Sequence, residues 1–203
     1  MMSPQPNVRS LGEHGNDPTG ADVERHVHIV LLGLMGAGKS TVGRLVANEL
    51  GRPFVDSDSM VELRTGHLPP ELVERSGLDA LHAAERAALH QVIAQRDSVI
   101  FAASASVVDE MSPDDLDAAW YVWLEASPEV LAERVSGDRH ERPLLGDQAE
   151  SVLAEQHQRR SQLGHEIADA TITTDDLDAT TVAAEVCDAW RASSRAHADR
   201  PGS

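Results

Sequence analysis

The residues best suited to chemistry form the stretch GLMGAGKST, from Gly33 to Thr41. It matches the pattern G-x-x-x-x-G-K-[ST], in which glycines turn backbone N–H groups toward phosphate oxygens, the lysine reaches the β and γ phosphates, and the serine hydroxyl ligates Mg²⁺. Lys39 is the single lysine among 17 basic residues, which indicates that this position needs a compact ammonium. The stretch therefore predicts a site for a nucleoside triphosphate and Mg²⁺. The residues expected around the phosphates are Gly36, Ala37, Gly38, Lys39, Ser40 and Thr41.

Two carboxylates follow the next predicted strand. The segment FVDSDSM places Asp56 and Asp58 at the carboxyl end of that strand, where ligands bind in open α/β sheets. Side chains two residues apart on a strand share one face, so one carboxylate can order Mg²⁺ through its waters while the other accepts a proton from an attacking hydroxyl. The pair is typical of phosphoryl transfer. The alternative for Asp58 is that it caps the following helix.

The elements that must position these residues alternate between strands and helices. Helical spacing follows the phosphate loop, and further helical patterns are broken by glycine and proline, which end or interrupt helices. Alternation of this kind predicts an α/β fold of the P-loop NTPase type, with a parallel sheet covered by helices on both faces. The predicted strands cover residues 27–33, 54–56, 99–103, 120–124 and 170–174. The predicted later helices begin after Ser127, which can act as an N-cap, and near 149–163 and 180–192.

A single folded domain is expected over residues 26–192 of the 203. Residues 1–25 and 193–203 are rich in small and polar residues without periodicity, which predicts disordered tails. The polar stretch at about 136–148, which contains Arg142, is predicted to form a surface loop.

Charge and cysteine content limit the class of partner. The net charge of −17 opposes binding to phosphate backbones and to anionic lipid headgroups. The chain has one cysteine, Cys187, and no apolar run long enough to span a membrane. We therefore expect a cytoplasmic protein that binds neither nucleic acid nor membranes.

Four segments, in order and at similar separations, resemble the shikimate kinases over nearly all of residues 27–175. The resemblance implies a core sheet of five parallel strands, a mobile lid, and transfer of the γ-phosphoryl group of ATP to a ring hydroxyl. The segments are GLMGAGKSTVGRLVANELGRPFVDSD, RTG at 64–66, VWLEASPEVLAERV at 122–135 and RPLL at 142–145.

The resemblance also implies roles for individual residues. Asp56 would serve the Mg²⁺ shell beside Ser40, and Asp58 would act on the acceptor hydroxyl. Arg134 would lie near the adenine, and Arg142 would close over the transferred phosphate, as an arginine fork suits phosphate. The alternative for Arg142 is a solvated loop charge.

Departures from the family pattern concern acceptor binding. His82 stands where the family usually has a carboxylate-binding arginine, and an imidazole has at most two N–H donors in place of the guanidinium fork. A second arginine is kept as Arg160, but Gly164 replaces the tyrosine that usually follows it. His82 is a candidate substrate ligand or a polar residue on an amphipathic helix. Arg160 is a candidate anion clamp or a surface charge paired with Glu155 or Glu166.

The largest departure follows the third strand, where the family has three glycines. Here Ser104, Ala105 and Ser106 align with them as candidate substrate-binding residues. Side chains at these positions fill space and would be strained, by about 1 to 2 kcal/mol each, if the backbone needed left-handed residues. The serine hydroxyls could also reshape the pocket for another polyol.

The leading hypothesis is an ATP-dependent kinase that phosphorylates shikimate or a related cyclic polyol. We expect a monomer whose partner is a small-molecule polyol or hydroxy acid. A gluconate kinase would share the phosphate loop but not the spacing of RPLL. A pseudokinase that binds nucleotide without turnover is the alternative outside enzymes, although retention of Lys39 and Asp58 counts against it.

Overall fold

The computed structural model describes residues 27–137 and 149–198. Within them, five parallel strands form one sheet in the order β2-β3-β1-β4-β5. Every strand predicted from the short apolar runs is present, which confirms the α/β class. The strands are β1 (His28–Leu32), β2 (Phe54–Asp56), β3 (Ile100–Ala102), β4 (Ala119–Glu125) and β5 (Ala170–Thr173).

Eight α-helices lie in the described ranges. Glycines in the left-handed conformation end α1 and α2, at Gly51 and Gly66, because a residue without Cβ adopts positive φ at little cost. Ser127 caps α6 as predicted, since its Oγ accepts the N–H of Val130 at 3.4 Å. The helices are α1 (Lys39–Leu50), α2 (Ser57–Thr65), α3 (Pro69–Ser76), α4 (Leu78–Ile93), α5 (Pro113–Asp117), α6 (Pro128–Gly137), α7 (Ala149–Ile167) and α8 (Ala179–Ala198).

Two helices differ from the sequence-based expectation. The short α5 was not predicted, although Ser112 and Asp115 form a capping box at its start. Helix α8 continues to Ala198, so residues 193–198 are helical, contrary to the predicted disordered tail. After Trp190 the first strong helix breaker is Pro201, and the Ala and Arg residues before it favour the helix. Residues 1–25 and Arg142 lie outside the described residues.

The strand order brings three segments to one edge of the sheet. Because β3 lies between β2 and β1, Ala102 is in register with Asp56 on one side and with Leu31 on the other. The N–H of Ala103 then donates to the carbonyl of Leu31 at 3.1 Å. The segments that follow β1, β2 and β3 therefore leave the sheet side by side, at the carboxyl edge where α/β proteins bind ligands.

His28 is buried at the start of β1 and joins it to the loop before β3. Its Nε2 lies 3.2 Å from the carbonyl oxygen of Gln95, and its Nδ1 accepts the N–H of Val99 at 3.3 Å. This pattern requires a neutral imidazole with the proton on Nε2. Burial lowers the pKa of His28, and the charge of Arg52 lowers it further, while the hydrogen bond to Gln95 acts in the opposite direction.

Protonation of His28 should therefore destabilise the fold. Its pKa is lower in the folded than in the unfolded chain, so the stabilisation is present above the unfolded value of about 6.5 and is lost as pH falls below it. Between pH 7.5 and 5, the free energy of unfolding of the wild type should therefore fall by more than that of His28→Gln. Urea denaturation measures both, with His67→Gln as control; parallel losses in wild type and His28→Gln would contradict the prediction.

Candidate active site

The phosphate loop between β1 and α1 depends on its glycines. Gly33, Gly36 and Gly38 have φ of 143°, 88° and 90°, which side chains rarely adopt. A Cβ on Gly33 would lie 2.6 Å from the carbonyl oxygen of Leu124, so a side chain has no room there. Gly38 is the N-cap of α1 and offers no side-chain cap, so the first N–H groups of that helix are available to a phosphate. Ala37 is buried and Thr41 is exposed at the start of the helix.

Lys39 is held across this loop. Its ammonium donates to the carbonyl oxygens of Gly33 at 2.8 Å and Leu34 at 3.1 Å. The ammonium of the chain's single lysine thus lies next to the concave backbone that the glycines form. A concave backbone with a fixed ammonium and a helix N-terminus fits a triphosphate.

The side chains of Ser40 and Asp56 are in direct contact, although Ser40 lies in α1 and Asp56 ends β2. Both residues are predicted ligands of one Mg²⁺. The Ser40 hydroxyl donates to Oδ2 of Asp56 at 2.5 Å. Both oxygens are hard donors of the type that Mg²⁺ binds, and Mg²⁺ keeps several waters beside one or two protein ligands. The donor set therefore fits the predicted metal.

Asp56 also caps α2, because its Oδ1 accepts the N–H of Asp58 at 3.0 Å. The alternative in which Asp58 caps this helix is therefore wrong. Asp58 is the second residue of α2, and it is exposed at the same carboxyl edge. Its carboxylate is not needed as the cap, which leaves the predicted role toward the acceptor open.

The segment that replaces the glycine turn forms a 3₁₀ helix, Ala105–Asp109. Ser104 precedes it with φ −63° and ψ 148°, and its Oγ accepts the N–H of Ser106 at 3.4 Å. No described residue other than glycine has positive φ, so the strain anticipated for side chains here is absent. Ser106 is buried and donates its hydroxyl to the carboxylate of Glu85, also buried, which ties the segment to α4.

His82 lies half-buried on α4, and its neighbour Leu81 is buried in a small apolar cluster. Among the described residues, none forms a hydrogen bond or an ion pair with its imidazole. The position is compatible with either sequence-based interpretation of His82.

Arg160 differs from the surface-charge interpretation of the sequence. It is buried rather than on the surface, and its guanidinium binds Asp109, which neither interpretation named. The surface-charge alternative is therefore wrong. Its predicted role as an anion clamp stays a prediction, now with an internal carboxylate already bound to the guanidinium.

Gly164, where the family has tyrosine, packs against Trp123 of β4. A Cβ at position 164 would lie 2.5 Å from Cδ2 of the indole, well inside van der Waals contact. The buried indole thus fills space beside α7 that a larger residue at 164 would need.

Arg134 is fixed at the end of α6. It donates to Oγ1 of Thr174 at 2.9 Å and to the Thr174 carbonyl at 2.6 Å. The guanidinium is thereby held beside the end of β5, while Arg142 lies outside the described residues.

Three partners of predicted site residues were not found from the sequence, because each is distant along the chain from the residue it binds. They are Thr174, Glu85 and Asp109.

Comparison with known proteins decides the family. The family model described as Shikimate kinase matches residues 35–191. The chain belongs to the shikimate kinase family. It is 36% identical over 166 residues to the shikimate kinase of Moorella thermoacetica, which covers 81% of this chain and 95% of that protein. It is 37% identical over 148 residues to the shikimate kinase of Dechloromonas aromatica, with 72% and 80% covered.

Solved structures agree with the fold described above. A shikimate kinase from Acinetobacter baumannii, in complex with shikimate, has a TM-score of 0.75 and 26% identity, covering 86% of this chain and 98% of that one. A gluconokinase from Sinorhizobium meliloti, with a TM-score of 0.55 and 21% identity, shares the fold alone. The resemblance inferred from the motifs is confirmed, and so is the P-loop kinase fold with its sheet of five parallel strands.

This shikimate kinase family member is a small-molecule kinase that uses ATP and Mg²⁺ to phosphorylate a hydroxyl group. Among the described helices, none combines the length and apolar character needed to cross a membrane.

Proposed function

We propose that this protein transfers the γ-phosphoryl group of ATP to a hydroxyl of shikimate. The observation that carries the proposal is the 2.5 Å contact between Ser40 and Asp56, which joins the phosphate loop to the carboxylate segment after β2. Asp58 follows on the same segment and is exposed at the carboxyl edge of the sheet. Family membership supports shikimate as the acceptor.

Different residues of the chain bind the phosphates, bind the metal and accept the proton. Lys39 and the first N–H groups of α1 bind and orient the phosphates, and Ser40 and Asp56 would hold Mg²⁺. Bound Mg²⁺ would neutralise charge that develops on the phosphoryl oxygens. Asp58 takes the proton of the acceptor hydroxyl, since a carboxylate within hydrogen-bonding reach of that proton suffices as a general base.

Two arginines are assigned to the nucleotide side. Arg134, held by Thr174, borders the adenine, and its fixed guanidinium gives the base a flat surface to lie against. Arg142 is proposed to close over the transferred phosphate as part of a lid at about 136–148.

The acceptor is proposed to bind between α4, α7 and the 3₁₀ helix that replaces the glycine turn. Arg160 is the group suited to the carboxylate of shikimate, and His82 supplies an N–H donor from the opposite helix. Ser104, Ala105 and Ser106 are proposed to line this pocket between the two helices. This pocket has one guanidinium where the family usually has two, so weak binding of shikimate is expected.

ADP formation tests the proposal directly. Purified protein with ATP and Mg²⁺ is assayed with and without millimolar shikimate, and with gluconate as a comparison acceptor. Shikimate-dependent turnover is expected. If shikimate gives no stimulation while ATP still binds, the acceptor is another polyol or the protein is a pseudokinase.

Restoring the missing arginine should strengthen acceptor binding. His82→Arg is expected to lower KM for shikimate by about tenfold, because a bidentate charge-assisted contact replaces a single donor. His90→Arg on the same helix adds the same charge as a control and should have no such effect. An unchanged KM in His82→Arg would mean that the acceptor lies in a different pose.

We also propose that the protein acts as a monomer in the cytoplasm. A free and buried cysteine, Cys187, is compatible with a reducing compartment. Analytical ultracentrifugation of the purified chain tests the oligomeric state, and a dimer would contradict the monomer.

A further inference from the structure

Asp109, Arg159 and Arg160 form an ion cluster that joins the 3₁₀ helix to α7. A single carboxylate oxygen, Oδ2 of Asp109, accepts Nε of Arg160 at 3.1 Å and Nη2 of Arg160 at 2.8 Å. The same oxygen accepts Nη2 of Arg159 at 3.1 Å. The side chain of Arg160 is 7% exposed and that of Arg159 is 66% exposed. The inner arginine is therefore neutralised by a carboxylate that belongs to the chain itself.

Asp109 uses the part of Arg160 that a bound carboxylate would use. The Nε and Nη2 groups form one edge of the guanidinium fork, which matches a carboxylate in the usual bidentate arrangement. With both donors of this edge on Asp109, an incoming carboxylate must compete for them. It also meets the negative charge of Asp109 at close range.

The position of Asp109 is fixed from both sides. It ends the 3₁₀ helix, which Ser106 ties to Glu85 of α4, and the next residue, Glu110, pairs with Arg86 of the same helix. Arg160 holds the segment from α7. Release of Arg160 from Asp109 thus means breaking a defined, partly buried ion pair, which costs binding free energy.

We propose that Asp109 acts as an internal substitute for the acceptor carboxylate on Arg160 and sets the affinity for carboxylate-bearing acceptors. The inference rests on the proposed function of the same site. Displacement of Asp109 raises the KM for shikimate, whereas an acceptor without a carboxylate binds without displacing it. The effect falls on binding and not on phosphoryl transfer, because Asp109 contacts neither Asp58 nor the phosphate loop among the described contacts.

Asp109→Asn tests the competition while keeping the shape of the side chain. KM for shikimate should fall by about tenfold, since the ion pair is replaced by a weaker hydrogen bond from the guanidinium to an uncharged amide oxygen, and kcat should change by less than about twofold. The methyl ester of shikimate, which has no carboxylate, should show no gain. Asp117→Asn, at an exposed position, removes the same charge as a control. Asp109→Ser provides a second neutral variant if Asp109→Asn does not fold.

Several results would overturn the inference. An unchanged KM for shikimate in both Asp109 variants would do so, as would an equal gain for the acid and its methyl ester, because that gain cannot come from competition for Arg160. A tenfold gain in Asp117→Asn would point to net charge instead of the ion pair.

Calorimetric titration with shikimate separates this inference from the proposed function. If wild type forms ADP with shikimate but Asp109→Asn binds it no more tightly, the function stands and the competition is wrong. If wild type gives no turnover with shikimate yet Asp109→Asn binds it about tenfold more tightly, the competition stands and the proposed acceptor is wrong. Absence of binding to either protein overturns both.

Discussion

Lys39→Met should reduce shikimate-dependent ADP formation by about a thousandfold, because the ammonium is the fixed charge that faces the phosphates as they react. In the structure the ammonium is held by the carbonyl oxygens of Gly33 and Leu34. Methionine is unbranched like lysine and only one atom shorter, and it removes the charge. Initial rates of ADP release at saturating ATP measure the effect.

Lys39→Arg is the matched control for charge. The guanidinium is wide and planar, whereas the two loop carbonyls hold a compact group, so arginine should recover only a small part of the activity. Thermal unfolding of both variants checks that the fold is intact. Wild-type turnover in Lys39→Met would remove the phosphate loop from the reaction, and full activity in Lys39→Arg would show that charge alone matters there.

Asp58→Asn should lower kcat by a factor of about 100 to 1,000, while the Kd for ATP changes little. The amide keeps the size of the carboxylate but cannot accept the acceptor's proton. Because Asp56 already caps α2, this loss cannot be attributed to a missing cap. Single-turnover rates and nucleotide titration measure the two quantities separately.

Asp79→Asn is the matched control, since Asp79 is exposed and is the second residue of α4 as Asp58 is of α2. Both substitutions remove a favourable charge from the first turn of a helix, which is worth a few tenths of a kcal/mol to about 1 kcal/mol. Asp79→Asn should leave kcat unchanged. Equal losses of kcat and nucleotide affinity in Asp58→Asn would exclude its role as the base.

The sheet could be predicted from the sequence because its signals are local. Each strand is a short apolar run, and the two glycines Gly51 and Gly66 mark helix ends by their own conformational freedom. The phosphate loop is likewise a contiguous motif whose chemistry depends on spacing alone. The same locality explains why Ser40 and Asp56 could be predicted as candidate metal ligands, since Ser40 belongs to that contiguous motif and Asp56 ends a predicted strand.

The acceptor side could not be predicted to the same extent. The partner of Arg160 is 51 positions away, and nothing in the sequence around Asp109 identifies it as the carboxylate that pairs with that arginine. The backbone conformation after β3 could not be predicted from the sequence either, because whether serine and alanine can replace glycine depends on the local φ values. There the chain forms a 3₁₀ helix with negative φ, so the replacement brings no strain.

The packing of Trp123 on Gly164 restricts the order in which substitutions can accumulate. A tyrosine cannot be introduced at position 164 while the indole occupies the space beside α7, and a smaller residue at 123 would first leave a cavity at the end of β4. Each single step from the present pair toward the family's tyrosine therefore passes through a destabilised protein. The acceptor pocket and the core of the sheet are coupled at this point, so family residues transplanted into the pocket must be accompanied by a change at Trp123.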